Sequence, residues 1–249
     1  MSKKYSSQEI VSKIQQYLVK NDDKLNKFYD SKFFASGVLS DTNEKVIDFI
    51  AKYIIDSLIE YRNGEWILKS IDKDPKATAK ESDESMKYCS IVRENKEGEG
   101  EEQFQRDLYF KRKTIPIQLQ EELEGEEFIY FELAASKGRG AGKGIDLLSY
   151  NCKNRLSIYE LKYGKVNENI LKAILEIQTY YQRTNFVKFQ KDWEYNRKNR
   201  LVPFSFDKLQ FNEVRKVIII DKRTNAYSQR EYPNIRRLIE LFQIKEIYF

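Results

Sequence analysis

The sequence predicts an α/β fold: a central mixed β-sheet flanked by helices, preceded by a mainly helical N-terminal region. Three observations carry the prediction. Apolar residues in the first 60 positions recur at helical spacing, and short β-prone runs alternate with helical stretches after about residue 103. Between the two patterns lies ENKEGEGEE, residues 94–102, an acidic, glycine-bearing stretch that reads as a boundary. The expected division is therefore 1–95, a helical region with a β-hairpin, and 96–249, the α/β core.

Each element follows from its residues. Ile10, Val11, Ile14, Tyr17 and Leu18 outline a first helix. Val46, Ile47, Phe49, Ile50, Tyr53, Ile54, Leu58 and Ile59 outline a second, with Asp41 and Glu44 resembling a capping pair at its start. Asn63-Gly64 is a turn, 65–71 (EWILKSI) a strand, and 72–85, polar with Pro75, a loop; 86–92 is expected to be a second strand pairing with the first. Beyond the boundary, Phe104 and Leu108 suggest a short helix. Strands are expected at 128–135 (FIYFELAA), 145–150 (IDLLSY) and 156–162 (LSIYELK), the last two joined by a turn at 151–154 (NCKN). A helix over 167–183 places Ile170, Ala173, Ile174 and Ile177 on one face. A buried strand at 214–220 (VRKVIII), a helix at 235–242 and a strand at 244–249 complete the core.

Composition narrows the chemistry. The 249 residues include 15 Phe, 17 Tyr and 2 Trp, enough aromatic area for a real core. No apolar run approaches the roughly 18 residues of a membrane span, and the first residues lack a signal-peptide core, so a soluble, cytoplasmic protein without a membrane partner is expected. Two cysteines, Cys89 and Cys152, make neither a disulfide scaffold nor a four-cysteine zinc site. The chain has no histidine, which excludes Ser-His-Asp and Cys-His catalysis and histidine zinc sites. Catalysis would rest on carboxylates, Lys, Tyr, Ser, Cys or a metal held by oxygen, which suits Mg²⁺, Mn²⁺ or Ca²⁺. The net charge of +5 is uneven: residues 1–127 carry 21 Lys+Arg against 26 Asp+Glu, whereas residues 128–249 carry 23 against 13. A basic half is the footprint of a polyanion binder.

The chemistry-bearing stretch is Gly144-Ile145-Asp146-Leu147-Leu148 followed by Tyr159-Glu160-Leu161-Lys162. A hairpin closing through residues 152–154 sets Asp146 opposite Glu160, about 4.5–5.5 Å apart at Cβ. Lys162 points to the same face as Glu160. The apolar neighbours Leu148, Leu156 and Ile158 imply burial, and buried carboxylates need a metal, a partner or a raised pKa. Two carboxylates, the Leu161 carbonyl and a lysine make a site for a divalent metal and an attacking water.

Asp146 followed by Glu160-Leu161-Lys162 on the next strand resembles the PD-(D/E)xK nuclease superfamily, with its restriction-endonuclease-like fold. The resemblance spans roughly residues 98–220; Ile145 stands where a proline is common in that family. It implies that Asp146 and Glu160 bind Mg²⁺ (Mn²⁺ as a substitute), aided by the Leu161 carbonyl, and that Lys162 positions or activates water. It also implies a glutamine on the following helix, for which Gln178 is the candidate with Gln182 one turn on. A glutamate on the helix before the first core strand is implied too. Glu101, Glu102 and Glu132 compete for that role, with Glu102 favoured.

The glycine loop 138–144 lacks the phosphate-cradle spacing, since Lys137 precedes it and a strand, not a Ser/Thr and helix, follows. Lys137, Arg139 and Lys143 are instead candidate phosphate-backbone donors. In FVKFQKDWEYNRKNR, residues 186–200, Lys188, Lys191, Arg197, Lys198 and Arg200 are candidate phosphate contacts. Phe189, Trp193 and Tyr195 either stack on bases or pack in the core. The expected function is a Mg²⁺-dependent nuclease acting on nucleic acid, DNA in preference to RNA, with a homodimer allowed. The alternative is an inactive nuclease-like fold that binds nucleic acid or a protein partner.

Overall fold

The computed structural model describes residues 5–25, 27–30, 37–71, 100–109, 115–134, 144–164, 169–196 and 208–249. The expected loop at 72–85, the strand at 86–92 with Cys89, and the glycine loop carrying Lys137, Arg139 and Lys143 lie outside these residues. So do Arg197, Lys198 and Arg200. Among the described residues no helix is long and apolar enough to cross a membrane.

Helix α1 (Ser7–Lys20) starts at a capping box: the Ser6 hydroxyl accepts the Glu9 N–H, and Glu9 accepts the Ser6 N–H at 2.7 Å. Asp41 does not cap the second helix as expected. Its carboxylate accepts the Ser7 N–H at 3.0 and 3.1 Å, while α2 (Val46–Tyr53) begins after Lys45 with no side-chain cap. The cause is the turn between them. Val38 bridges to Lys45, and Asn43 adopts φ 58°, which turns Asp41 toward α1.

The helical spacing through Leu58 and Ile59 overstates the second helix. After one wide turn at Ile54–Leu58 the chain enters strand β1 (Ile59–Arg62), paired antiparallel with β2 (Glu65–Leu68). Asn63 and Gly64, at φ 53° and 89°, form the two-residue hairpin loop. Asn-Gly suits that geometry because both residues tolerate positive φ. The strand at 65–68 thus finds its partner upstream of the turn. Gln182 anchors this hairpin: its amide accepts the Leu68 N–H and donates to the Leu68 carbonyl, both at 2.9 Å, as a neighbouring strand would.

The core is α/β, with a five-stranded mixed sheet flanked by helices, as the sequence predicts. Strands β3 (Glu126–Ala134), β4 (Gly144–Asn151), β5 (Arg155–Lys162), β6 (Glu213–Ile220) and β7 (Ile244–Tyr248) lie in that spatial order. β3, β4 and β5 are antiparallel neighbours; β5, β6 and β7 run parallel. Every residue of β5 from Leu156 to Lys162 is buried, the mark of a central strand covered on both faces. Helices α3 (Glu101–Tyr109) and α4 (Ile117–Glu122) cover one face through Phe104, Leu108 and Leu119, which pack on Leu147, Tyr159, Leu161 and Val217. Helix α5 (Ile170–Arg183), begun by the Asn169 side chain accepting the Lys172 N–H, covers the other. It shares that face with α1, α2, α6 (Phe186–Asn196), α7 (Asn225–Gln229) and α8 (Pro233–Leu241). Helices α4 and α7 carry too few apolar residues to announce themselves in the sequence.

Described residues among the first 71 share this second core: Ile10, Ile14, Phe28, Ile50 and Ile54 are buried in the same cluster as Ile158, Ile174 and Ile218. A polar lock joins them to the far helix. Asp48, on α2, accepts the N–H groups of Asn234 (2.9 Å) and Ile235 (3.2 Å), satisfying donors that the start of α8 leaves unpaired.

Candidate active site

The site begins where β4 leaves β5. Their register runs from Asn151↔Arg155 to Leu147↔Tyr159 and stops. The next hydrogen-bonding pair would join Ile145 with Leu161. Instead the Asp146 carboxylate accepts the Leu161 N–H at 2.8 Å, so a side chain fills a backbone position of the ladder. Alternation breaks at the same point. Ile145 packs in the cluster on the α5 side, whereas Leu147, two residues on, packs on the α3 side. Asp146 is therefore not paired across an unbroken ladder with Glu160; it stands at the edge of the gap where the strands part. In an antiparallel ladder a residue's N–H and C=O face the same neighbour. The Leu161 carbonyl therefore faces this gap with its N–H, while the Lys162 carbonyl turns the other way and accepts the Asp221 N–H.

Glu160 and Lys162 lie on the α5 face, 5% and 3% exposed, and form an ion pair of 2.7 Å. A second carboxylate closes on the same lysine from α5: Glu176 Oε2 is 3.7 Å from Lys162 Nζ, and its Oε1 is 4.0 Å from Lys172 Nζ. Burial, repulsion from Glu160 and a hydrogen bond to Glu160 push the Glu176 carboxyl up to about 10. Its Oε2 is buried without a hydrogen-bond partner. Asp146 is also held well above the usual carboxylate range, first by burial and then by Glu160. Lys162 and the Leu161 N–H pull the other way, and Glu101 adds to the rise. Glu101 itself accepts the Tyr163 N–H at 3.3 Å. Tyr180, one turn beyond Glu176, packs edge-to-face on Tyr29 at 5.9 Å, and its hydroxyl is pushed up by burial and by Glu160 and Glu176. The N-terminal region thereby supplies one wall around these carboxylates.

The structure thus gathers Asp146, Glu160, Lys162 and the Leu161 carbonyl around the gap. It does not bring Gln178 there. That side chain is fully buried, accepting from Lys216 Nζ at 2.9 Å and donating to Gln182 at 3.0 Å and the Trp66 carbonyl at 3.4 Å. The place expected for it beside the carboxylates is held by Glu176. Two residues apart on a helix are about 200° apart around its axis, so both cannot face the same point. Glu176 was discernible in the sequence as the one carboxylate between Ile170 and Ile177 in a helix that buries both. Of the three glutamates competing for the other role, Glu101 acts on Asp146; the side chains of Glu102 and Glu132 lie outside the described residues. Lys191 is exposed and Lys188 half-buried on α6. Phe189 and Trp193 are fully buried in the core and so are not available to stack on bases. The apolar stripe of α6, rather than its charges, decides which way those rings turn.

Among the described residues no three acidic side chains stand already gathered to hold a metal ion. The donors nevertheless suit a hard cation. Glu160 and Glu176 flank Lys162 at 2.7 and 3.7 Å, burial and the Glu160 charge hold the Asp146 and Glu176 carboxyls above their usual range, and one Glu176 oxygen lacks a hydrogen bond.

No protein-family model matches the sequence, and no curated protein matches it. Among solved structures, the chain has a partial likeness to a repair endonuclease from Pyrococcus abyssi, at 14% identity and a TM-score of 0.30. The likeness covers 62% of this chain and 49% of that one, so the chain spans about half the length of that structure.

Proposed function

We propose that the protein is a metal-dependent nuclease that hydrolyses phosphodiester bonds, with DNA as the favoured substrate. The observation that carries this reading is the Asp146 carboxylate set in the β4–β5 gap, hydrogen-bonded to Leu161 N–H and coupled electrostatically to Glu160 and Lys162. Asp146, Glu160 and the Leu161 carbonyl are the groups that would hold Mg²⁺ or Mn²⁺. Such an ion polarises a phosphoryl oxygen and lowers the pKa of bound water. Lys162 holds the Glu160 side chain in place through the 2.7 Å ion pair and sets a cation beside the position of attack. Glu176, neutral near pH 7, stores a proton next to Glu160 that it can release when positive charge arrives. The basic C-terminal half, including Lys188 and Lys191, attracts the polyanion.

The alternative is a binding module with the same fold and no cleavage. The trio argues for catalysis, because a pure binder gains nothing from facing buried carboxylates that repel each other. Cleavage of DNA and RNA with Mg²⁺ or Mn²⁺, wild type beside Asp146→Asn and Lys162→Ala, decides between them. Activity in the wild type and its loss in both variants is expected. Equal activity in all three would place the activity elsewhere, and binding without cleavage would favour the module.

A further inference from the structure

A cleft of about 610 Å³ opens on the α3 side of the sheet, lined by Phe104, Tyr163, Phe249, Asp221, Lys222 and Arg223 among others. Its position follows from the topology. Tyr163, Asp221 and Phe249 each stand immediately past the C-terminal end of β5, β6 and β7, three parallel neighbours. That edge of an open α/β sheet is where ligands are received. Helix α3 closes the cleft with Phe104, which lies nearly parallel to both other rings: 4.4 Å from Tyr163 at 8° and 4.9 Å from Phe249 at 18°. Phe104 is buried, but Tyr163 and Phe249 are only half-buried, so part of this aromatic wall meets solvent.

A cation is fixed above the wall. The Arg223 guanidinium lies 5.6 Å from the centre of the Tyr163 ring and is held by the buried Asp221 through contacts of 2.6 and 2.9 Å. Asp221 also accepts the Gly164 N–H at 3.1 Å, and its own N–H is bonded to the Lys162 carbonyl. The loop after β5 is therefore pinned while the arginine, with a side chain 67% exposed, faces solvent. A flat apolar wall, a planar cation held in register with it and a neighbouring lysine match the face, edge and phosphate of a nucleotide. The volume lies within the range of small-molecule sites, roughly 300–1,000 Å³. Tyr163 directly follows Lys162, and Glu101, which acts on Asp146, holds the Tyr163 N–H. The cleft is thus tied to Asp146 through Glu101 and to Lys162 through the chain itself.

We infer that this cleft receives an unstacked nucleobase of the bound strand, next to the phosphate presented to Asp146 and Glu160. The inference rests on the nuclease reading and sharpens it: the substrate is single-stranded, or opened, at the site. The test measures binding without divalent metal, so that nothing is cleaved. Two labelled single-stranded DNA oligonucleotides of equal length are compared, one intact and one with its central bases removed as abasic sites, against wild type, Phe249→Leu and Arg223→Ala. Wild type should prefer the intact strand by about tenfold or more. Both variants should lose most of that preference, and Phe249→Leu should bind the abasic strand as wild type does. Equal wild-type affinity for the two strands, or a preference unchanged in both variants, overturns the inference while leaving nucleic-acid binding intact. Failure to bind either strand removes the nuclease reading as well. Competition by a deoxynucleoside monophosphate separates the two sources of a base. Displacement of the strand at micromolar concentration assigns the cleft to free nucleotide and overturns the in-strand reading, whereas no displacement up to millimolar supports it.

Discussion

The Asp146 carboxylate accepts the Leu161 N–H at 2.8 Å in the place where a ladder bond from Ile145 would otherwise stand. This one substitution of side chain for backbone parts the two strands, sets the Leu161 carbonyl toward the gap, and fixes the aspartate beside Glu160 and Lys162.

The first prediction concerns that aspartate. Burial and Glu160 both favour its neutral form. Asparagine keeps an oxygen for the Leu161 N–H without the charge, so Asp146→Asn should be more stable than wild type in EDTA at pH 8, by on the order of 1 kcal/mol. Urea denaturation measures this. Metal-dependent cleavage should fall by at least about a hundredfold, on the scale of losing a group that acts on the transition state.

Lys162→Ala should behave in the opposite way. It removes the cation 2.7 Å from Glu160 and 3.7 Å from Glu176, leaving two buried carboxylates facing each other. Breaking a buried pair in this manner costs about 3–5 kcal/mol. Denaturation midpoints of wild type and variant at pH 8 check it.

Glu176 gives a pH dependence of definite sign. Its folded-state value, about 10, lies above the ordinary value of 4.5, so folding favours the protonated form. The stability it contributes is complete below pH 4.5 and declines as pH rises toward 10. Glu176→Gln should flatten this decline, with the gap between variant and wild type widening from pH 5 to pH 9. Stability curves that stay parallel over that interval would remove Glu176 from the proton-storing role.

Asp48→Ala tests the tie between the N-terminal region and the core. It deprives two N–H groups at the start of α8 of their shared acceptor, and about 1–2 kcal/mol of stability should be lost. Asp48→Asn, which keeps one oxygen, should recover a substantial part. A single cooperative transition in both variants is expected, since residues of the first 71 lie in the same core as β5 and β6.

The five strands of the central sheet, the turn at residues 152–154 and the pairing of Glu160 with Lys162 were legible because they depend on local pattern. An apolar run bounded by Asn-Cys-Lys-Asn becomes a hairpin wherever it sits, and residues two apart on a strand share a face. The helix reading through Ile59 failed for a reason just as local. Apolar residues at Ile54, Leu58 and Ile59 satisfy both a helical and a hairpin pattern, and the Asn63-Gly64 turn decided in favour of the hairpin.

By itself the sequence determined the α/β class, the absence of histidine chemistry, and the placing of Glu160 and Lys162 on one face of one strand, since residue types and periodicity carry these directly. Only the tertiary structure decided that Glu176 rather than Gln178 lies beside Lys162 and Glu160, and that Phe189 and Trp193 turn inward. It alone brought Phe104, Tyr163 and Phe249 into one aromatic wall. Each of these depends on the angle at which a helix lies on the sheet, or on strand ends separated by tens of residues in the chain. Periodicity specifies the buried side of an element; which residue of that side meets which neighbour is decided by how the elements pack.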